Sequence, residues 1–289
     1  MGIRIAVLAV VLVVASAAPA WGQGAEPPPP AGANDACRAS QDPTPVVLVH
    51  GTFANRSEVG ATLSPQLESA GYCVWALNYG GCRFGSCGRG PIEDSAGELK
   101  AFIDRDVLPQ SRSGKVSIVG HSQGGLMPRY YLRFLGGQAV VQDMIGLSPS
   151  NHGTDNPLAP PAGQSGECAA CDQQSPYQSP FTQLVNGDDE TLAGVDYTQI
   201  QTRWDEVVVP YWSAWLADEP GTPNSPDTTA QNGASTTNFC LQDESPANSS
   251  DHLSIPHDQQ AVRVVLDALR RDGPAQPPAA PDTVCDGAA

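Results

Sequence analysis

Basic residues are scarce in this 289-residue chain: 15 Lys and Arg stand against 31 Asp and Glu, a formal net charge of −16. A surface so poor in cations repels phosphate, which excludes nucleic acid and anionic membranes as partners. Only 16% of residues carry charge at all, so the acidity speaks to solubility more than to chemistry. No apolar run is long enough for a transmembrane segment: Ile5 to Ala15 falls well short of the roughly 20 residues a spanning helix needs. There is no internal repeat. Beside Cys168-Ala169-Ala170-Cys171 there is no second Cys pair or His pair at zinc-ligand spacing, so no metal site is expected and that pair reads as a disulfide.

What is present begins with that apolar run. Arg4 precedes it and small residues follow, Ala18-Pro19-Ala20 or Ala20-Trp21-Gly22. This is the pattern of an export signal, so residues 1–23 are read as a signal peptide and the protein as secreted. Eight cysteines fit an oxidising compartment and allow four disulfides, with about a hundred possible pairings that spacing does not separate. Cys82 and Cys87 close a short Gly-rich loop; Cys37 with Cys73 and Cys240 with Cys285 are the pairs chosen for the remainder.

After the signal, roughly 265 residues remain, enough for one domain with a large core. Residues 24–45, rich in Pro and polar residues, read as a flexible leader, and 273–289 as a Pro-rich tail tied by Cys285. Between them, 46–272, apolar β-branched runs alternate with helical periods. Strands are expected at Val46–Val49, Tyr72–Leu77, Val116–Val119, Val140–Leu147, Val195–Gln201 and Thr236–Leu241. Helices are expected at about Gly60–Ala70, Asp94–Leu108 with Pro109 as a stop, Gln123–Leu135 and Asp258–Arg271. Pro128 should bend or tighten the start of its helix without ending it. The alternation indicates an α/β fold: a reduced, mostly parallel sheet of about six strands, covered by helices on both faces. Residues 151–194 are long and aperiodic and are read as a candidate lid or cover.

Gly120-His121-Ser122-Gln123-Gly124 matches G-x-S-x-G. The motif alone is weak in a chain with 29 glycines, but here it lies between a buried strand and a helix, the setting of a nucleophile elbow. A serine hydroxyl needs a base, and the base needs an orienting carboxylate. His50 and His121 sit in glycine turns, and His152 reads as a loop hydrogen-bonder. With the order Ser, acid, His, this leaves His252 and His257, of which His252, between the last strand and last helix, is preferred. Asp205 follows the preceding strand and is the preferred acid, with Glu206 and Asp196 as rivals. The N–H groups of Gln123 and of Thr52, in His50-Gly51-Thr52, are candidates for an oxyanion hole, with the Thr52 hydroxyl beside them. Trp212, Trp215 and Leu158-Ala159-Pro160-Pro161 read as packing or loop surface before acyl-site lining.

These residues resemble the secreted class 2 lipases, a family of the α/β-hydrolases similar to the fungal lipase-B type. The resemblance rests on Val46-Val47-Leu48-Val49-His50-Gly51-Thr52, Val119-Gly120-His121-Ser122-Gln123-Gly124-Gly125, Ser148 to Thr154, Thr202-Arg203-Trp204-Asp205-Glu206-Val207-Val208 with Pro210, and Asp251-His252-Leu253. It implies hydrolysis of carboxylic esters, often acylglycerols, without a cofactor, through Ser122, Asp205 and His252, with Thr52 and Gln123 as oxyanion hole. The chain departs from the pattern at Ser245, where relatives carry a second cysteine near the one matching Cys240, and through the idiosyncratic stretch from Asn151 to Asn186. A monomer acting on lipophilic esters is expected. A polyester- or cutin-type hydrolase, an acyltransferase and a non-catalytic module on the same scaffold are the competing readings.

Overall fold

The computed structural model describes residues 26–216, 227–229, 235–276 and 285. The stretch expected to be a signal peptide (1–23), the start of the expected leader (24–25) and most of the Pro-rich tail lie outside the described residues.

Among the described residues seven strands form one sheet: β1 (Val46–Val49), β2 (Val74–Ala76), β3 (Val116–His121), β4 (Val141–Leu147), β5 (Asp196–Gln201), β6 (Asp227–Thr229) and β7 (Ser235–Cys240), in the order β2-β1-β3-β4-β5-β7-β6. The six expected strands are all there and all parallel. β6, antiparallel to β7, is an edge strand that the apolar pattern does not mark, since Asp227-Thr228-Thr229 contains no hydrophobic residue.

The helices are α1 (Arg56–Ser69), α2 (Ile92–Phe102), α3 (Gln123–Phe134), α4 (Ala159–Gln164), α5 (Ala169–Gln173), α6 (Pro180–Asn186), α7 (Leu241–Glu244) and α8 (Gln259–Arg270). Successive strand residues point to opposite faces, so each strand feeds two cores. Val47, Val49, Ile118 and Met144 pack with Leu99, Leu126 and Tyr131 of α2 and α3. On the other face Val46, Leu48, Val119 and Ile145 pack with Leu63, Leu67, Val264 and Val265 of α1 and α8.

α1 starts four residues before the expected position. Its first turn lacks an apolar residue until Val59, and its start is set instead by Asn55, whose side chain accepts from the N–H groups of Ser57 and Glu58. α2 gives way at Ile103 to a wide turn and then to a tight one that ends at Gln110. α3 runs through Pro128 unbroken. The 151–194 stretch contains α4, α5 and α6, each too short to display a helical period; α5 begins at the Cys168–Cys171 disulfide and α6 at the cap Ser179 with Pro180 in the first position. The other disulfides join Cys37 to Cys73, Cys82 to Cys87 and Cys240 to Cys285.

Strand order reverses around β1. The chain leaves β1 for β2 on one side and returns to β3 on the other, so the loops after β1 and β3 diverge and leave a crevice at the carboxyl edge of the sheet.

The opposite edge holds a buried acid. Asp143 of β4 is 2% exposed, accepts from the Ser117 hydroxyl and is pushed up to about 7 by burial, helped by Asp196 and Asp42. An unfolded Asp titrates near 3.9, so between about pH 4 and 7 the folded state holds the extra proton and stability declines as pH rises. Asp143→Asn is expected to flatten that slope and to raise the urea midpoint above the parent's at pH 8. Unfolding curves from pH 4 to 8 check this; an unchanged slope contradicts it.

Candidate active site

The elbow after β3 is tight because of what its glycines touch. A Cβ on Gly120 would lie 1.7 Å from the Gly124 carbonyl oxygen, and one on Gly124 would lie 2.2 Å from that of Val49. The close approach lets the chain reverse from β3 into α3 within one residue, Ser122, which adopts φ 56° and ψ −124°. This is a strained conformation for a residue with a side chain, and strain of this kind collects at functional sites. Gly120→Ala should cost about 3 kcal/mol by overpacking, a loss of roughly 5–10 °C in melting temperature for a domain of this size, together with activity. Circular-dichroism melts check this; a variant that melts and works like the parent contradicts the contact.

Ser122 opens on a cavity of about 340 Å³, lined also by Thr52, His121, Gln174, Val207 and His252. Leu158 and Ala159, expected as loop surface, line it too, whereas Trp212 and Trp215 pack at the Cys240–Cys285 bridge. Phe53, about half exposed, and Leu158 and Leu253, largely exposed, give the cavity an apolar mouth.

His252 and Asp205 form a buried pair. The Nδ1–H of His252 donates to Asp205 Oδ2 at 2.9 Å, with the two side chains 3% and 1% exposed. Asp205 Oδ1 accepts from the N–H groups of Val207 and Val208, at 3.0 and 2.7 Å, which locks the carboxylate. With Nδ1 donating, Nε2 is the ring's acceptor. The two loops are tied together: Thr202 Oγ1 donates to the Ser250 carbonyl, and Glu206 accepts from the His252 N–H at 3.2 Å. The rivals therefore sit elsewhere. Glu206 holds backbone, Asp196 lies at the start of β5, and His257 faces Thr62 of α1. His152 bonds Glu190 at 2.7 Å.

His121 has a place that its sequence position does not advertise. Its Nε2–H donates to the His252 carbonyl at 2.8 Å, and its ring lies 4.7 Å from the His252 ring. Burial and the neighbouring His252 hold it well below the usual imidazole range, so it is a neutral donor. His50, also buried and lowered to about 4, donates to the Gly51 carbonyl and stacks on Tyr79.

Two backbone N–H groups adjoin the residues that line the cavity, one next to Ser122 in the chain and one on Thr52. That of Gln123 opens α3, where the first N–H groups have no acceptor within the helix. In the turn after β1, backbone bonds run from Phe53 to Cys87 and from Ala54 to Gly51, while the Thr52 N–H makes none among the described residues. The helix terminus adds partial positive charge at the same point. A cavity with a strained hydroxyl, a locked imidazole–carboxylate pair and free amides is equipped for acyl transfer.

Residues 43–236 match the family Lipase (class 2). Two curated triacylglycerol lipases, from Pseudarthrobacter phenanthrenivorans and Burkholderia plantarii, are each 37% identical to it over 93 residues. These alignments cover 30% of this chain and 27% and 24% of theirs, so the matched region spans about a quarter of each relative. Among solved structures, Aspergillus fumigatus lipase B superimposes with a TM-score of 0.63 at 22% identity, over 83% of this chain and 56% of that one. A metagenome-derived lipolytic enzyme superimposes with a TM-score of 0.53 at 13% identity, over 81% and 98%. The fold, the elbow between β3 and α3, and the match over two thirds of its length place this chain in the class 2 lipase family of α/β-hydrolases.

Proposed function

We propose that the protein is an exported serine hydrolase of lipophilic carboxylic esters, acylglycerols foremost, that works through an acyl-enzyme. His252 Nε2 takes the Ser122 proton as Oγ attacks the ester carbonyl carbon. The N–H groups of Thr52 and Gln123 hold the tetrahedral oxyanion, and Asp205 keeps the imidazolium oriented. As the intermediate collapses, His252 returns that proton to the leaving alcohol. Water then enters and gives a proton to His252 Nε2 as it attacks the acyl carbon; collapse of this second intermediate breaks the acyl–Oγ bond, and His252 returns that proton to Ser122 Oγ as the acid leaves. No step needs a cofactor.

The observation that carries this reading is the convergence on one cavity of Ser122 and the Asp205–His252 pair, with Asp205 Oδ1 locked by two amides so that only Oδ2 is offered to the ring. The apolar mouth supports a lipophilic substrate. Four disulfides support an oxidising, extracellular setting, and no helix among the described residues is long and apolar enough to cross a membrane. Thr154, Asn156, Leu158, Ala162 and Gln174 of the 151–194 stretch line the cavity, and that stretch is read as its cover.

The test is fluorophosphonate labelling with peptide mapping, beside hydrolysis of a p-nitrophenyl ester chain-length series, emulsified triacylglycerol and a polyester film. One adduct, on Ser122, and turnover of the longer esters are expected. No adduct would leave the scaffold a binding module; turnover of the film alone would make it a polyesterase.

A further inference from the structure

The Thr52 side chain sits between two glutamines. Gln123 Nε2 lies 2.9 Å from Thr52 Oγ1, and Gln174 Nε2, reaching over from α5's end of the cavity wall, lies 3.1 Å from it. The direction of both bonds follows from their surroundings. Gln123 Nε2 also faces the Gly88 carbonyl at 3.0 Å, and Gln174 Nε2 the Ala170 carbonyl at 2.9 Å. A carbonyl oxygen only accepts, so the atom facing it in each glutamine is the amide NH₂, whichever way an amide is otherwise assigned. With the amide so oriented, Gln174 Oε1 on the other side accepts from the Ser150 hydroxyl at 2.7 Å. Both glutamines therefore donate to Thr52.

A hydroxyl has two acceptor positions and one proton. With both acceptor positions filled, the proton of Thr52 is left to donate, and Thr52 borders the cavity that holds Ser122. We propose that Gln174 is a positioning residue: its amide, acting with that of Gln123, turns the Thr52 O–H into the cavity as a donor to the oxyanion. This rests on Thr52 lying in the oxyanion hole, as argued above, and adds a residue from the 151–194 stretch to its working parts. It also gives that stretch a chemical task, since α5 and the Cys168–Cys171 bridge place Gln174 against Thr52.

A merely structural Gln174 would tie the cavity wall to the turn after β1 and nothing more, and a double-mutant cycle separates the two roles. Gln174→Ala should lower kcat about 10-fold with KM unchanged, part of the roughly 10²–10³ that one oxyanion donor supplies. In a Thr52→Val background the same substitution should change kcat less than about 2-fold, because the proton it orients is gone. Gln174→Glu should fall below Gln174→Ala, since a carboxylate accepts from Thr52 and draws the proton out of the cavity; shape alone gives the reverse order. Equal losses in both backgrounds, or a rise in KM at constant kcat, overturn the proposal. Should Thr52→Val not fold, the order of the two Gln174 variants decides, with Glu above Ala overturning it. Fluorophosphonate labelling of the parent keeps the outcomes apart: an unlabelled Ser122 sinks the hydrolase reading itself, whereas a labelled Ser122 with additive losses sinks only this assignment.

Discussion

Ser122→Ala is expected to abolish ester hydrolysis, lowering kcat by about 10⁵-fold, while the protein folds as before. The large loss follows from the hydroxyl being the only atom removed and the one that forms the acyl bond. What residual rate survives comes from water attacking an ester still held by the Thr52 and Gln123 amides. Stability should hardly move, because alanine meets the same strained φ and ψ as serine and the Gly120–Gly124 contact is untouched. The measurements are kcat on a p-nitrophenyl ester, the loss of fluorophosphonate uptake and the melting temperature. A variant that keeps a tenth of the parent rate would mean that another nucleophile does the chemistry.

Asp205→Asn is expected to cost about 10⁴-fold in kcat, more than loss of one charge near an imidazole suggests. The reason is local. Oδ1 of Asp205 faces two N–H donors, from Val207 and Val208, so the asparagine oxygen must stay there and its NH₂ must face His252. An NH₂ presented to Nδ1 requires Nδ1 to accept, which moves the ring proton to Nε2, the atom that should receive the Ser122 proton. The variant would be folded and correctly shaped with its base blocked. Glu206→Gln, at the rival acid, should change kcat less than about 3-fold, because a glutamine oxygen still accepts the single backbone bond from His252. Comparable losses at the two positions would reassign the acid.

Much of the architecture was legible in the sequence because buried parallel strands leave a plain signal. Val46-Val47-Leu48-Val49 is apolar on both faces, and such a run has one comfortable place, between two layers of helix. Elements held by polar caps or by neighbours were harder to read. The start of α1 depends on Asn55, the edge strand β6 has no hydrophobic residue, and α4 to α6 are shorter than the period that would reveal them. The cavity followed the same division. The elbow and chain order offered Ser122, His252 and Asp205 as candidates, with Glu206 and Asp196 as rival acids, whereas His121 and Gln174 carry no motif that announces their contacts with the His252 carbonyl and with Thr52.

By itself the sequence determined the strand and helix alternation and the elbow, because each rests on contacts within a few residues: periodic burial, or a Gly120 that must lie against Gly124. Tertiary structure alone decided which carboxylate faces the imidazole, which way the Thr52 proton is turned and which side chains wall the cavity. Those choices are made by atoms 47 and 122 positions apart, such as Asp205 and His252 or Thr52 and Gln174. A hydrogen bond has direction only when both partners are held in place, and over such separations the packed sheet and its loops do the holding.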